Sequence, residues 1–465
     1  MTIDAEVEEL RSHEELGVWH RKLEKQAAKG TVYIVAFYGV SLTLRILSSV
    51  VLTRIFSPEY FGIITLLTTV LVGLTLFSHI GLNDSVIQSA RGDDPVFLNT
   101  AWSLELLRGG GLWIVTILLA KPVAWFYHEP RMVMLLPALG FGCVIAGATS
   151  PSILNLTRHM GVGKTSMIEF LGQVVQFVVT LVWALIQPSL WALIGGRLVS
   201  ELVRMVASYF LLPELRPRFT LDKECLHELI RFGKWILIGT ALTFLANQSD
   251  RLILGRLVTT TMLGIYGIAW ALSDLPRQVI ALFCTRVGYP FIAKFASQPR
   301  KDYRAVLLKY RLPVLAVGGL GLIIAICTGD QVVKHIYDHR YHDASWMVPL
   351  LAIGLWHTTL YSTISPAILA LSKAHYNAAA NLVFFIALFT LIPLGYHFYG
   401  MPGAVLAVAF GDLPVYFVVL YSAYREKVGT FLQDALMTVA FLLTLAGALA
   451  LRMALGFGLP FHGIH

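Results

Sequence analysis

Residues Ser150-Pro151-Ser152-Ile153-Leu154-Asn155-Leu156-Thr157-Arg158 return, 215 positions later, as Ser365-Pro366-Ala367-Ile368-Leu369-Ala370-Leu371-Ser372-Lys373. Two further stretches repeat in the same order. Leu52-Thr53-Arg54-Ile55 running to Gly62 matches Leu254-Gly255-Arg256-Leu257 running to Gly264, a shift of 202. Gly111-Leu112-Trp113-Ile114 running to Tyr127 matches Gly321-Leu322-Ile323-Ile324 running to Tyr337, a shift of 210. Apolar helices resemble one another by composition alone, but shared Ser-Pro and basic positions do not follow from composition. The slowly growing shift describes a chain made of two homologous halves.

Composition decides what those halves are. Of 465 residues, 56% are hydrophobic and 14% charged, with a mean hydropathy of +0.69. Soluble domains carry about 25% charged residues. A bigger core cannot absorb the shortfall, because single cores stop growing at ~250–300 residues. A soluble enzyme, a disordered chain and a disulfide-stapled secreted domain are excluded. The chain reads as a polytopic membrane protein. A helix needs about 20 apolar residues to cross a ~30 Å hydrocarbon layer. Twelve such spans fall at 31–53, 60–80, 98–120, 133–155, 167–187, 190–212, 234–257, 262–284, 307–328, 346–370, 376–397 and 401–423, and a thirteenth at 431–455.

The expected architecture is therefore all-α. It comprises a cytoplasmic N-terminal segment (1–30), an N-lobe of six spans (31–212), a cytoplasmic linker (213–233), a C-lobe of six spans (234–424) and an extra C-terminal segment (425–465). That last segment either crosses once or is a kinked or re-entrant element. Six spans per half is an even number, so both halves share one orientation about an axis along the membrane normal, as in duplicated transporters.

Lysine and arginine set the orientation. With the N-terminus inside, the inward segments hold 23 basic residues, including Arg216, Arg218, Lys223, Arg231 and Lys234 between spans six and seven. Arg286, Lys294, Arg300, Lys301, Arg304, Lys309 and Arg311 lie in the next inward loop. The outward segments hold seven: Arg54, Lys121, Arg131, Arg256, Lys334, Arg340 and Arg452. This is a positive-inside distribution with a cytoplasmic N-terminus. The first apolar run has no small-residue cleavage site and reads as an uncleaved span, not a signal peptide. The net charge of +8 reports loops facing anionic lipid, with no nucleic-acid partner expected. Cys143, Cys225, Cys284 and Cys327 are too scattered for a metal or redox clip.

The half-repeat opening Leu52-Thr53-Arg54-Ile55-Phe56-Ser57-Pro58-Glu59-Tyr60-Phe61-Gly62 resembles the polysaccharide-biosynthesis or oligosaccharide-flippase family. So does Asp250-Arg251-Leu252-Ile253-Leu254-Gly255, followed by Leu263-Gly264-Ile265-Tyr266. The family includes the Wzx-type exporters of the multidrug, oligosaccharidyl-lipid and polysaccharide exporter superfamily, and the likeness covers about residues 30–425. The resemblance implies a V-shaped pair of six-helix lobes. It also implies movement of an undecaprenyl-diphosphate-linked sugar repeat unit across a bacterial inner membrane, beside polysaccharide polymerase and export machinery. The thirteenth span departs from the twelve or fourteen usual in the family.

Charges at bilayer depth are expensive and normally face a protein interior or a wet cavity. The intramembrane basic residues are Arg45, Arg108, Arg197, Arg204, Arg251 and Arg277, and the clearest acids are Glu105, Glu201, Asp250 and Asp274. Glu105 with Arg108 and Asp274 with Arg277 stand three apart, and Arg197, Glu201 and Arg204 form a ladder on one face. Each could equally be a neutralised pair joining helices. Arg45 differs, with no acid within a turn and a place about 20 Å into its span. An unpaired arginine suits a diphosphate, whose oxygens match its planar fork. Arg45 comes first as a diphosphate or acidic-sugar contact, then Arg277 and Arg251, with Arg108, Arg197 and Arg204 behind. The position matching Arg45 in the second half is Asn247. Asp250 and Glu105, then Glu201 and Asp274, are candidates to couple transport to H+ or Na+, since burial raises a carboxyl pKa.

Three decoys are set aside. Met160-Gly161-Val162-Gly163-Lys164-Thr165 mimics a phosphate loop but has Arg158 where the first glycine belongs and no strand before it. His335, His339 and His342, with Asp338 and Asp343, read as a solvated loop rather than a metal site. Asn155-Leu156-Thr157 is a sequon at the inward end of a helix. No cofactor is expected. Three functions remain: a lipid-linked oligosaccharide flippase, a cation-coupled multidrug or small-molecule antiporter, and a membrane-embedded sugar polymerase or ligase. Basic residues that equal or exceed the acids inside the spans favour an anionic cargo, and outward connections of ordinary length leave no room for a catalytic domain.

Overall fold

The computed structural model describes residues 37–461, apart from 80, 83, 84, 87, 88, 90, 154, 155, 157–161 and 212–216. The N-terminal segment 1–30, the middle of the Ser150–Arg158 motif, the sequon, the start of the phosphate-loop mimic and part of the 213–233 linker lie outside the described residues.

Among the described residues every regular element is helical. The first half holds α1 (Phe37–Ile55), α2 (Pro58–Phe77), α3 (Pro95–Tyr127), α4 (Met132–Gly147), α5 (Val162–Ile186) and α6 (Leu190–Leu211). The second half opens with α7 (Lys223–Leu257), α8 (Thr260–Ser273) and α9 (Leu275–Phe283). A π-helical turn (Cys284–Gly288) leads to α10 (Tyr289–Ala293). Then come α11 (Arg300–Ile336), α12 (Ala344–Ala370), α13 (His375–Phe410), α14 (Leu413–Arg425) and α15 (Phe431–Ala454). Gly400, with φ 61°, breaks α13 into two arms that run back along each other, Gly395 against Gly403. No proline or non-helical residue interrupts α15.

The helix starts follow from local chemistry. Asp94 accepts from the Val96 amide ahead of Pro95, and Asp222 accepts from the Glu224 and Cys225 amides. Ser57 and Thr259, extended residues 202 positions apart, sit at the N-caps of α2 and α8.

Helices α2 to α6 pack into one bundle, and α7, α8 and α11 to α15 into a second. The bundles meet where α2 lies against α8 and α7, and the repeat supplies the contact. A Cβ on Gly62 would sit 1.8 Å from the Thr260 carbonyl oxygen, and one on Gly264 would sit 1.9 Å from that of Pro58. The two repeat-related corners thus touch backbone to backbone, each through its own glycine. The 337–341 connection closes over the same end. Arg340 Nη2 donates to the Thr53 and Arg54 carbonyls (3.2 and 3.1 Å), and the buried Tyr341 donates to Phe56 O at 3.0 Å. Arg131 pairs there with Glu59 and Glu129.

Two arginines assigned to loops prove to be buried. Arg311, fully enclosed in α11, donates to Asp434 (2.6 Å), Gln433, Thr363 and the Leu360 carbonyl. Arg452 of α15 pairs with Asp330 of α11. Both arginines lie inside the apolar windows 307–328 and 431–455, and a carboxylate on the facing helix makes each buried charge tolerable. The pairs fasten both ends of α15 to α11, and the stacked rings of Trp356 and Phe441 fill the middle.

Candidate functional site

The second half holds four of the ten charged residues singled out from the sequence, Asp250, Arg251, Asp274 and Arg277. Asn247, Asp250, Trp270, Asp274, Arg277 and Asp412 line one cavity of about 80 Å³ between α7, α8, α12 and α13. Asp250 is buried and accepts from the Tyr266 hydroxyl at 2.6 Å; its other oxygen lies 3.8 Å from Arg251. Asp274 is buried and grips Arg277 with both oxygens, while Gln278 Nε2 donates to it at 2.9 Å. The Arg251 and Arg277 guanidiniums lie 4.7 and 5.5 Å from the Trp270 ring centroid, within cation–π reach.

Arg45 is exposed on α1 and has no carboxylate partner among the described residues. Its Nη2 instead donates to Gln278 Oε1 at 2.6 Å, which also takes the Tyr38 hydroxyl at 3.1 Å. Gln278 therefore bridges Arg45 of the first half to Asp274 of the second, which in turn holds Arg277. The repeat partner of Arg45, Asn247, lines the cavity with Asp250.

A third carboxylate went unnoticed in the sequence. Asp412, in the turn between α13 and α14, accepts from Thr358 and Tyr361 and bonds His357 Nε2. All four are polar residues inside otherwise apolar windows, the same signal that picks out Asp250.

The first bundle holds a separate cluster. Glu105 and Arg108 pair at 3.0 Å beside a cavity of about 290 Å³, and Arg108 also reaches the Thr75 and Ser78 carbonyls at 3.4 Å. Glu201 and Arg204 pair more loosely, at 3.5 Å, with Arg204 leaning on Gly172. Arg197 makes no ion pair with them among the described residues, so the expected ladder is a pair plus a half-buried neighbour. Arg45, Arg251 and Arg277 thus come together with Asp250 and Asp274, while Arg108, Arg197, Arg204, Glu105 and Glu201 sit apart. Among the described residues no three His, Cys, Asp or Glu side chains form a metal site, His335, His339 and His342 included.

A family model described as "Polysaccharide biosynthesis protein" matches residues 51–346. The chain belongs to that family. It is 22% identical over 417 residues to the lipopolysaccharide biosynthesis protein WzxC of Escherichia coli K12, a match covering 87% of this chain and 82% of WzxC. Among solved structures it is similar to the lipid II flippase MurJ in an inward closed conformation, with a TM-score of 0.67 and 12% identity over 89% of this chain and 98% of that one. An inward-facing multidrug-resistance MATE transporter aligns with a TM-score of 0.65 and 14% identity, over 83% and 94%. This polysaccharide-biosynthesis family member is a multi-pass, all-α membrane protein with a MATE-like fold.

Proposed function

We propose that the protein flips an undecaprenyl-diphosphate-linked oligosaccharide across the bacterial inner membrane by alternating access, for surface polysaccharide synthesis. The observation that carries this reading is Arg45. A guanidinium held within a span by a neutral amide keeps its full charge for an anion, and a diphosphate offers bidentate oxygens. Arg251 and Arg277 extend the basic surface across Trp270. Access would alternate as the two bundles separate and rejoin at the Gly62–Gly264 end. With a cytoplasmic N-terminus, that closed end faces outward, and the cargo enters from the inside. Asp250, Asp274 and Asp412 surround one cavity and are the residues proposed to respond to H+ or Na+. The N-lobe (31–212) and C-lobe (234–424) are proposed as the moving units, and polymerase or export proteins as partners downstream.

The test is complementation of a deletion strain. Deletion is expected to abolish surface polysaccharide and leave lipid-linked repeat units on the cytoplasmic leaflet. Arg45→Ala, losing a charge-assisted contact of about 1.5–3 kcal/mol, restores only a small fraction of transport, and Arg45→Lys restores more. Normal polysaccharide in the deletion strain, with raised dye sensitivity, would replace this reading with a multidrug antiporter.

A further inference from the structure

A groove of about 940 Å³ lies on the far side of α9 from the charged cluster. It runs between α9, the π turn and α10 on one side and α11 on the other. Pro276, Val279, Ile280, Phe283 and Val317 are among its walls. At 3.6 residues per turn, Arg277 and Gln278 project from one face of α9, and Pro276, Val279, Ile280 and Phe283 from the opposite one. This single short helix partitions a polar site from an apolar channel.

The channel opens sideways. Val317 is 71% exposed and Val279 52%, a surface that faces lipid in a membrane-spanning bundle. Lipid tails are as apolar as the groove, so no hydrophobic gain selects an occupant there. Shape and charge must do so. The π turn shifts the helix register at the lower end, where the Tyr310 ring lies over Gly288 and stacks on Phe283 with centroids 6.1 Å apart. At the upper end Gly321 leaves the floor open, a Cβ there meeting nothing nearer than Pro276 at 3.9 Å. Lys309 is the one charged residue lining the groove among the described residues. It is exposed, as is Arg286 beside the wall residue Val287. The channel is therefore apolar along its walls and basic at one mouth.

We propose that this groove takes the polyprenyl chain of the lipid-linked cargo, with its diphosphate drawn to Lys309 and Arg286. It is the loading site from which the head group passes around α9 into the charged cleft. This rests on the flippase reading above. The basic mouth complements an anionic head, and the shared wall of α9 sets the groove directly beside the candidate site.

The test uses the full chain in phosphatidylethanolamine nanodiscs with undecaprenyl diphosphate as probe. A photoreactive p-benzoylphenylalanine replaces Val317 in the groove or, for comparison, Leu436 on the exposed face of α15. The expected result is an undecaprenyl diphosphate adduct at 317 and only phospholipid adducts at 436. Gly321→Phe, filling the upper end, should abolish the adduct, and Lys309→Gln should weaken probe binding about fivefold. Phospholipid adducts at 317 in proportion to the bilayer would overturn the proposal. So would unchanged oligosaccharide transport in both variants, which leaves the flippase reading standing. A wild-type chain that moves no lipid-linked oligosaccharide overturns the flippase reading, and the groove assignment with it.

Discussion

Substituting alanine for Gly62 or Gly264 should open the closed end of the molecule. In an ordinary helix the change is favourable, because alanine exceeds glycine in helix propensity by about 1 kcal/mol. Here the new methyl carbon meets a backbone oxygen at 1.8 Å for Gly62 and 1.9 Å for Gly264, where ordinary contact begins near 3.4 Å. Backbone cannot rotate aside as a flexible side chain can. The corners must therefore separate by about 1.6 Å, breaking the contacts of Arg340 and Tyr341 across the same seam. Overpacking of this kind costs about 1–3 kcal/mol, and it falls on the closed state alone. The propensity gain is common to both states and cancels between them. The overpacking alone therefore sets the shift, and about 1–3 kcal/mol should lower the closed-to-open ratio by about fivefold or more.

The assay places a cysteine at Thr53, which is fully buried under Arg340, in a background lacking Cys143, Cys225, Cys284 and Cys327. A membrane-impermeant maleimide then reports opening as a faster labelling rate, and circular dichroism checks that the helices persist. Gly62→Ala and Gly264→Ala should each accelerate labelling, and transport should fall. If either variant labels at the parental rate and transports normally, the backbone contact does not hold the end closed and the reasoning fails.

Removing the Asp434 carboxylate leaves Arg311 enclosed and uncompensated, so Asp434→Ala should destabilise by about 3–5 kcal/mol. Loss of the exposed, solvent-screened Arg91–Asp94 ion pair should cost far less. Thermal unfolding in detergent compares the two, and equal melting temperatures would contradict the ranking. Asp338, outside the spans, has its carboxyl held below the usual range by the hydrogen-bonded Arg340 guanidinium. Its contribution is thus complete above the ordinary carboxylate pKa and disappears as the pH falls through the lowered one. Melting curves of wild type and Asp338→Asn should run parallel near neutrality and converge in acid; divergence on acidification would refute the assignment.

How much of this was legible depended on distance along the chain. The repeat named Gly62 and Gly264 as equivalent, and the structure makes that equivalence a physical contact. Glu105–Arg108 and Asp274–Arg277 were readable because three residues is a helical turn. Gln278 was not, since the residue it joins lies 233 positions away. Arg311 and Arg452 were misplaced for a related reason. Both stand inside apolar windows, where a charge is tolerable only because of a partner 122 or 123 positions away. Asp412 and His357 carried a visible signal, polar residues in apolar windows, yet their joint meaning arises only when α12 meets the turn after α13.

The fastening of α15 to α11 makes the duplicated molecule unequal. The second bundle is bolted at two levels by Arg311–Asp434 and Arg452–Asp330, whereas α1 of the first half stands outside the α2–α6 bundle and buries almost nothing within the protein. Any rocking of one half against the other therefore works like a lever with a stiff arm and a pliant one. Deformation concentrates around α1, the helix that carries Arg45, so the residue nearest the proposed cargo rides on the most compliant part of the machine.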